Sequence, residues 1–101
     1  MRLNLKYPEE RVPLSWDFRK ELEGHAVKTV EVKVSLDRGS RIEDLAADKL
    51  IASNYWVEDG VVFQLVEEGG VVGADYRFEA LLKRDDGQIY KKVSILPIRE
   101  A

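Results

Sequence analysis

Apolar residues recur at every second position through most of this chain. The longest run, Val27 to Leu36, sets Val30, Val32, Val34 and Leu36 on one face and Thr29, Glu31, Lys33 and Ser35 on the other. A period of two with one dry and one wet face is the signature of a half-buried strand, and such strands belong to antiparallel sheets. Val12, Leu14, Trp16 and Phe18 repeat the pattern, and Pro13 confines their strand, Pro13 to Phe18, to a sheet edge or a strand start. Arg19 to Gly24 is charged, ends in glycine and reads as a connection with room for one helical turn.

Further on, the Glu58-Asp59-Gly60 step predicts a tight hairpin between Leu50–Val57 and Val61–Val66. Tyr76, Phe78, Ala80 and Leu82 then alternate with Arg77, Glu79, Leu81 and Lys83, before Asp85-Asp86-Gly87 turns the chain into Gln88 to Ile98. In that last run Ile89, Val93 and Ile95 share one face and Tyr90, Leu96 and Ile98 the other, which a bulge or edge position near Leu96-Pro97 would reconcile. The helical signal is Ser40-Arg41-Ile42-Glu43, with the spacing of a capping box, and it predicts a short helix or turn at about 41–47. Leu3, Leu5 and Tyr7 alternate before Pro8, so residues 2–7 are either a short edge strand or a mobile arm. Six or seven strands with turn chemistry between them predict an all-β fold, a single antiparallel sandwich or small barrel. The domain proper runs over 12–101, with 1–11 as an N-terminal arm or edge strand.

The chain's 101 residues have room for one domain, and 45% hydrophobic with 35% charged residues is an ordinary globular balance. Without cysteine there is neither a disulfide nor a thiolate metal site. Sixteen basic against nineteen acidic residues, a net charge of −3, do not suggest a nucleic-acid partner. The N-terminus lacks the apolar core of a signal peptide and no run approaches a membrane span, so a soluble product made inside the cell is expected, with no membrane partner.

Candidate chemistry is sparse. Gly69-Gly70-Val71-Val72-Gly73 lacks the Gly-Lys-Ser/Thr and the helix of a phosphate loop, which leaves its glycines a backbone role. Tyr76, opening a strand after that link, has the position of the tyrosine that immunoglobulin-like sandwiches bond back to nearby backbone. The pairs Glu9-Glu10, Glu67-Glu68 and Asp85-Asp86 lack the spacing of a calcium loop and read as solvated acids. His25 is the single histidine, and Ser15, His25 and Asp17 form a triad on paper with nothing to mark a nucleophile. The expectation is therefore a non-enzyme with no cofactor, no metal and no small-molecule substrate. Lys28, Lys33, Lys83, Arg84, Lys91 and Lys92 interleave with acids, as on a solvated sheet face. Tyr55 and Trp56 are adjacent, point to opposite faces if both lie in a strand, and mark a binding surface where one is exposed.

Several blocks together resemble one family. They are Lys6-Tyr7-Pro8, Ser15-Trp16-Asp17-Phe18, Leu22-Glu23-Gly24 and Phe63-Gln64-Leu65-Val66, then Gly69-Gly70-Val71-Val72-Gly73-Ala74-Asp75-Tyr76, Asp86-Gly87 and Val93 to Arg99. Nearly end to end, the chain resembles small tailed-phage and prophage structural proteins of the fibre-tail adaptor or head-tail completion type. That resemblance implies an immunoglobulin-like β-sandwich and a virion structural or adaptor role, with other virion proteins as partners and an oligomer possible in the assembly. The product would be made in the bacterial host cytoplasm and located in the virion. Leu3, Leu5, Tyr7, Tyr55 and Trp56 are then the candidate partner-binding residues, with the segment Met1 to Val12 gaining order on assembly. Deletion of residues 1–11 is expected to spare thermal unfolding. The alternative is a free-standing immunoglobulin-like module that binds carbohydrate or protein through Tyr55 or Trp56.

Overall fold

A computed structural model of the chain describes residues 6–38, 48–51 and 54–99. Among the described residues six strands carry the fold: β1 (Val12–Asp17), β2 (Val27–Arg38), β3 (Trp56–Glu58), β4 (Val61–Val66), β5 (Asp75–Arg84) and β6 (Ile89–Pro97). A single helical turn, α1 (Arg19–Leu22), follows β1, and a 3-10 turn spans Asp48–Ile51. The strands form two three-stranded antiparallel sheets, ordered β1-β4-β3 and β2-β5-β6. Those orders are B-E-D and C-F-G of an immunoglobulin-like sandwich, and among the described residues the segment before β1 joins it by a parallel bridge between Lys6 and Ile98.

The core follows the alternation. Leu14, Trp16, Val62 and Val66 of the first sheet are buried against Tyr76, Phe78, Ala80, Leu82 and Leu96 of the second. Pro13 is exposed on β1, an edge strand, where the ladder hydrogen bond that proline cannot donate is not needed on the open side. Asp59 and Gly60 both adopt positive φ, 48° and 78°, as a two-residue turn matched to strand twist requires. Gly60 also leaves room for α1, because a Cβ there would lie 2.9 Å from Leu22 Cδ1.

One expected element comes out differently. The strand expected over Leu50–Val57 is confined to Trp56–Glu58; Leu50 is fully buried in the 3-10 turn, where its carbonyl accepts the Glu67 N–H at 2.8 Å. Of the two readings offered for Leu96-Pro97 the edge position holds: β6 ends its sheet, and its pairing with β5 is regular, without a bulge, from Asp75↔Pro97 to Lys83↔Ile89. Its inward face is Tyr90, Lys92, Ser94, Leu96 and then Ile98. Two polar residues on that face disguised the pattern, and each has a partner. Ser94 Oγ accepts the Trp16 indole N–H at 3.0 Å across the core. Lys92 lies over the Phe18 ring at 5.3 Å and reaches the Asp17 carbonyl at 2.6 Å and Glu21 Oε1 at 3.1 Å. The short helix or turn expected at 41–47 lies outside the described residues.

The glycine link joins the sheets and gathers in the N-terminal segment. Tyr76 Oη accepts the Val71 N–H at 3.1 Å, the back-bond expected of that tyrosine. Gly70, at φ 93°, packs so closely that a Cβ would lie 2.9 Å from Ile98 Cγ1. Lys6 is fully buried, with its ammonium donating to the carbonyls of Gly69 (2.9 Å), Tyr7 (3.0 Å) and Pro8 (3.3 Å). Its backbone completes the bridge, the Lys6 N–H donating to Pro97 O and the Lys6 carbonyl accepting from the Arg99 N–H. Burial pushes the Lys6 pKa below its ordinary value, while Glu10, Glu9 and Glu68 pull the other way.

Candidate docking face

In β4 the parity of the side chains decides what the first sheet shows to water. Val62, Gln64 and Val66 point inward and are buried, which leaves Val61, Phe63 and Leu65 half-buried on the outer face. Register then lines up the neighbours: Trp56 and Ser15 flank Phe63, Glu58 and Asp17 flank Val61, and Pro13 stands beside Leu65. Trp56 stacks on Phe63 with ring centroids 5.3 Å apart and planes 11° off parallel. An aliphatic and aromatic strip thus crosses a sheet face that the opposite sheet, packed on the other side, does not cover. Glu58 and the Asp17–Arg19 pair sit at one end of the strip, and the Glu67–Arg11 pair at the other.

The Asp59-Gly60 turn accounts for this parity. It places Glu58 opposite Val61, and a carboxylate at 58 holds that row in water, so Val57 and Val62 share the other side, Val62 fully buried and Val57, on the open edge, 36% exposed. Gln64 consequently enters the core, where its amide donates to the Leu65 carbonyl at 3.0 Å.

Of the expected binding residues, Trp56 belongs to this face. Tyr55 immediately precedes β3, and both side chains are about two-fifths exposed, Tyr55 at 40% and Trp56 at 41%. Tyr7 is comparably exposed but lies elsewhere, in the turn where its backbone N–H donates to Glu10 Oε1 and its carbonyl accepts the Glu10 N–H. Leu3 and Leu5 lie outside the described residues. Phe63 and Leu65 escaped the sequence reading because Gln64 made their row the more apolar one, the usual mark of a core face. The Glu58 register was the signal that could have found them.

His25, Asp85 and Asp86 bring one potential ligand atom each within 4.8 Å of one another, in an exposed cluster whose carboxylates are already engaged. His25 Nδ1 lies 2.7 Å from Asp85 Oδ1, and Asp86 lies close by on the other side of the ring, with 4.0 Å from His25 Nε2 to its Oδ2. Arg84 engages both Asp86 oxygens, at 2.7 and 2.5 Å, and Asp85 also accepts the Ala26 N–H at 3.1 Å. These contacts hold Asp86 down to about 2, through Arg84 first. They also lower Asp85, through the Ala26 N–H and then His25. The triad drawn from Ser15, His25 and Asp17 is not assembled: Asp17 is held by Arg19, which keeps its carboxyl down at about 2, and His25 faces Asp85 instead. The depression beside His25 is lined by Arg19, Leu22, Gly24, Asp59 and Gly60, without either carboxylate of the 85–86 pair.

A scan against protein-family models finds no match, and a search of curated proteins returns no relative.

Proposed function

We propose that this chain is a non-catalytic docking module that binds another protein through the outer face of the β1-β4-β3 sheet. The observation that carries the reading is the strip of Trp56, Phe63, Leu65, Val61 and Pro13, apolar side chains turned outward on a rigid sheet. A contiguous apolar patch rimmed by charge is the usual mark of a protein interaction site, and a central aromatic is its commonest anchor. The paired and backbone-bonded carboxylates near His25 support a scaffold more than a reaction centre. The sequence resemblance supplies the setting, in which the partner is another structural protein of a phage or prophage particle.

A photo-reactive amino acid placed at position 56 tests the reading in the producing cell. It is expected to cross-link one second protein in stoichiometric amounts, encoded beside genes for particle components, and the same probe at exposed Lys20 is expected to trap nothing. Absence of any cross-link at position 56 would overturn the docking face. A glycan array probed with wild type and Trp56→Ala separates the alternative, since sugar binding lost in the variant would make this a carbohydrate module.

A further inference from the structure

β2 is the last strand of its sheet, and among the described residues only β5 pairs with it. Register shifts at Val27/Thr29 and Leu36/Arg38 bound a regular stretch between them, and that stretch contains neither proline nor glycine. An exposed edge is a template of free N–H and C=O groups, which proteins ordinarily blunt with proline, short length, bulges or charged side chains. Here the charges point outward, and the inward row, Val30, Val32, Val34 and Leu36, is only half-buried. Between the shifts the ladder is long enough to take a further strand, provided that strand meets Glu31 and Lys33 with opposite charges.

We infer that β2 pairs with β2 of a second copy of this chain, antiparallel about a twofold axis at Val32, fusing two three-stranded sheets into one of six strands. Register selects the occupant. When a strand pairs with itself antiparallel, an axis between residues sets the valine row against the charged row, so the axis must pass through a residue. An axis at Val32 places Glu31 opposite Lys33 of the partner subunit and Lys33 opposite Glu31 of the partner subunit. It also sets Thr29 opposite Ser35 of the partner subunit, and Val30 opposite Val34 of the partner subunit.

The neighbouring axes fail this test. One at Glu31 or Lys33 opposes like charges, one at Val34 sets Glu31 against Asp37, and one at Val30 leaves both charges without an opposite. Opposite charges and hydroxyl pairs directly across a ladder stabilise it, and like charges destabilise it. Within one chain Lys33 already lies opposite Glu79, and it reaches Glu31 Oε1 at 3.5 Å. The joined sheet would therefore carry a row running Glu79, Lys33, then Glu31 of the partner subunit, alternating in sign. The contact is self-complementary and closed, as a twofold dimer requires.

Sedimentation of the full chain from low to high micromolar concentration tests the pairing. Wild type is expected to pass from monomer to dimer, and either Glu31→Lys or Lys33→Glu should raise the dissociation constant about tenfold or more. The double variant Glu31→Lys/Lys33→Glu should recover wild-type association. An equimolar mixture of the two single variants should form a heterodimer tighter than either homodimer, because every facing pair is again of opposite sign. Both side chains are more than half exposed, at 56% and 63%, so thermal melting of the dilute monomer should be nearly unchanged for Glu31→Lys and slightly lowered for Lys33→Glu, which faces Glu79 in its own chain, and a larger folding defect would be visible there. A wild type that stays monomeric overturns the proposal and leaves the edge to a strand of another protein. A dimer indifferent to the single swaps, or weakened by them without rescue, overturns it equally.

Discussion

The two sheets send similar apolar surface toward each other and differ in how charge is mixed into the face each turns toward water. On β2-β5-β6 the outer face also carries Leu81, Ile89, Val93 and Ile95, but these are interleaved with ion pairs, Arg77 to Glu79 at 2.9 Å and Lys91 to the same carboxylate at 3.6 Å. On β1-β4-β3 the outer face is led by Trp56, Phe63 and Leu65. Folding requires only that one face of each sheet be apolar. A second apolar face on the same sheet contributes nothing to the core, and the docking proposal rests on that excess.

The two tryptophans give the sharpest way to break the comparison, because they sit in one sheet on opposite faces. Trp16 is nearly fully buried and its indole N–H is held by Ser94, so Trp16→Ala should destabilise by about 3–5 kcal/mol through the lost packing and the orphaned hydroxyl. Trp56→Ala removes only a half-exposed cross-strand stack, worth about 0.2–1 kcal/mol. Urea unfolding of both variants measures the difference. Equal losses would mean that the outer face is structural and would remove the observation on which docking stands.

Next in size is Lys6→Met, which keeps most of the aliphatic stem and removes the ammonium. Three carbonyls, those of Tyr7, Pro8 and Gly69, lose a charged donor in a buried site, and a cost of about 2–4 kcal/mol is expected. This revises the expectation that removing residues 1–11 would leave thermal unfolding unchanged, since that deletion takes away both the ammonium and the bridge to Ile98. A truncated chain that melts like the full one would show the bridge to be dispensable.

These residues also mark how far the sequence could be read. The faces of β2 and β5, the Asp59-Gly60 hairpin, the edge position of Pro13 and the back-bond of Tyr76 were all legible, because each rests on local periodicity or turn chemistry. Alternation gives two rows per strand but not which row is inside. In β4 the choice went against composition, with Gln64 inward, because the hairpin register tied that row to Val57 and the other to Glu58. Lys6 was illegible for a related reason. A lysine beside a proline reads as solvated until a loop more than sixty residues away supplies carbonyls for it, and no local pattern carries that contact. Leu50 looked like strand by residue preference and folded as a 3-10 turn whose backbone bonds to Glu67.

The smallest expected effect concerns acid, and it sets the two sheets against each other once more. Asp17, at the end of β1, and Asp86, in the turn after β5, are both held at about 2 by a neighbouring arginine, below the ordinary carboxylate value of 3.8. A carboxylate with a lowered folded-state pKa adds stability that is present above its unfolded value and lost as pH falls through the folded one. For both residues that window runs from 3.8 down to about 2. The consequences differ through the arginines. Arg19 is 67% exposed and water takes over its solvation, whereas Arg84 is 10% exposed and loses its main partner when Asp86 protonates. Melting temperatures followed from about pH 5 to about pH 1.5 should therefore show Asp86→Asn below wild type at the upper end and converging with it at the lower. Asp17→Asn should show the same convergence with a smaller gap. Parallel curves for Asp86→Asn would mean that its pairing with Arg84 does not contribute to folding, and an equal gap for the two variants would mean that the burial of Arg84 makes no difference.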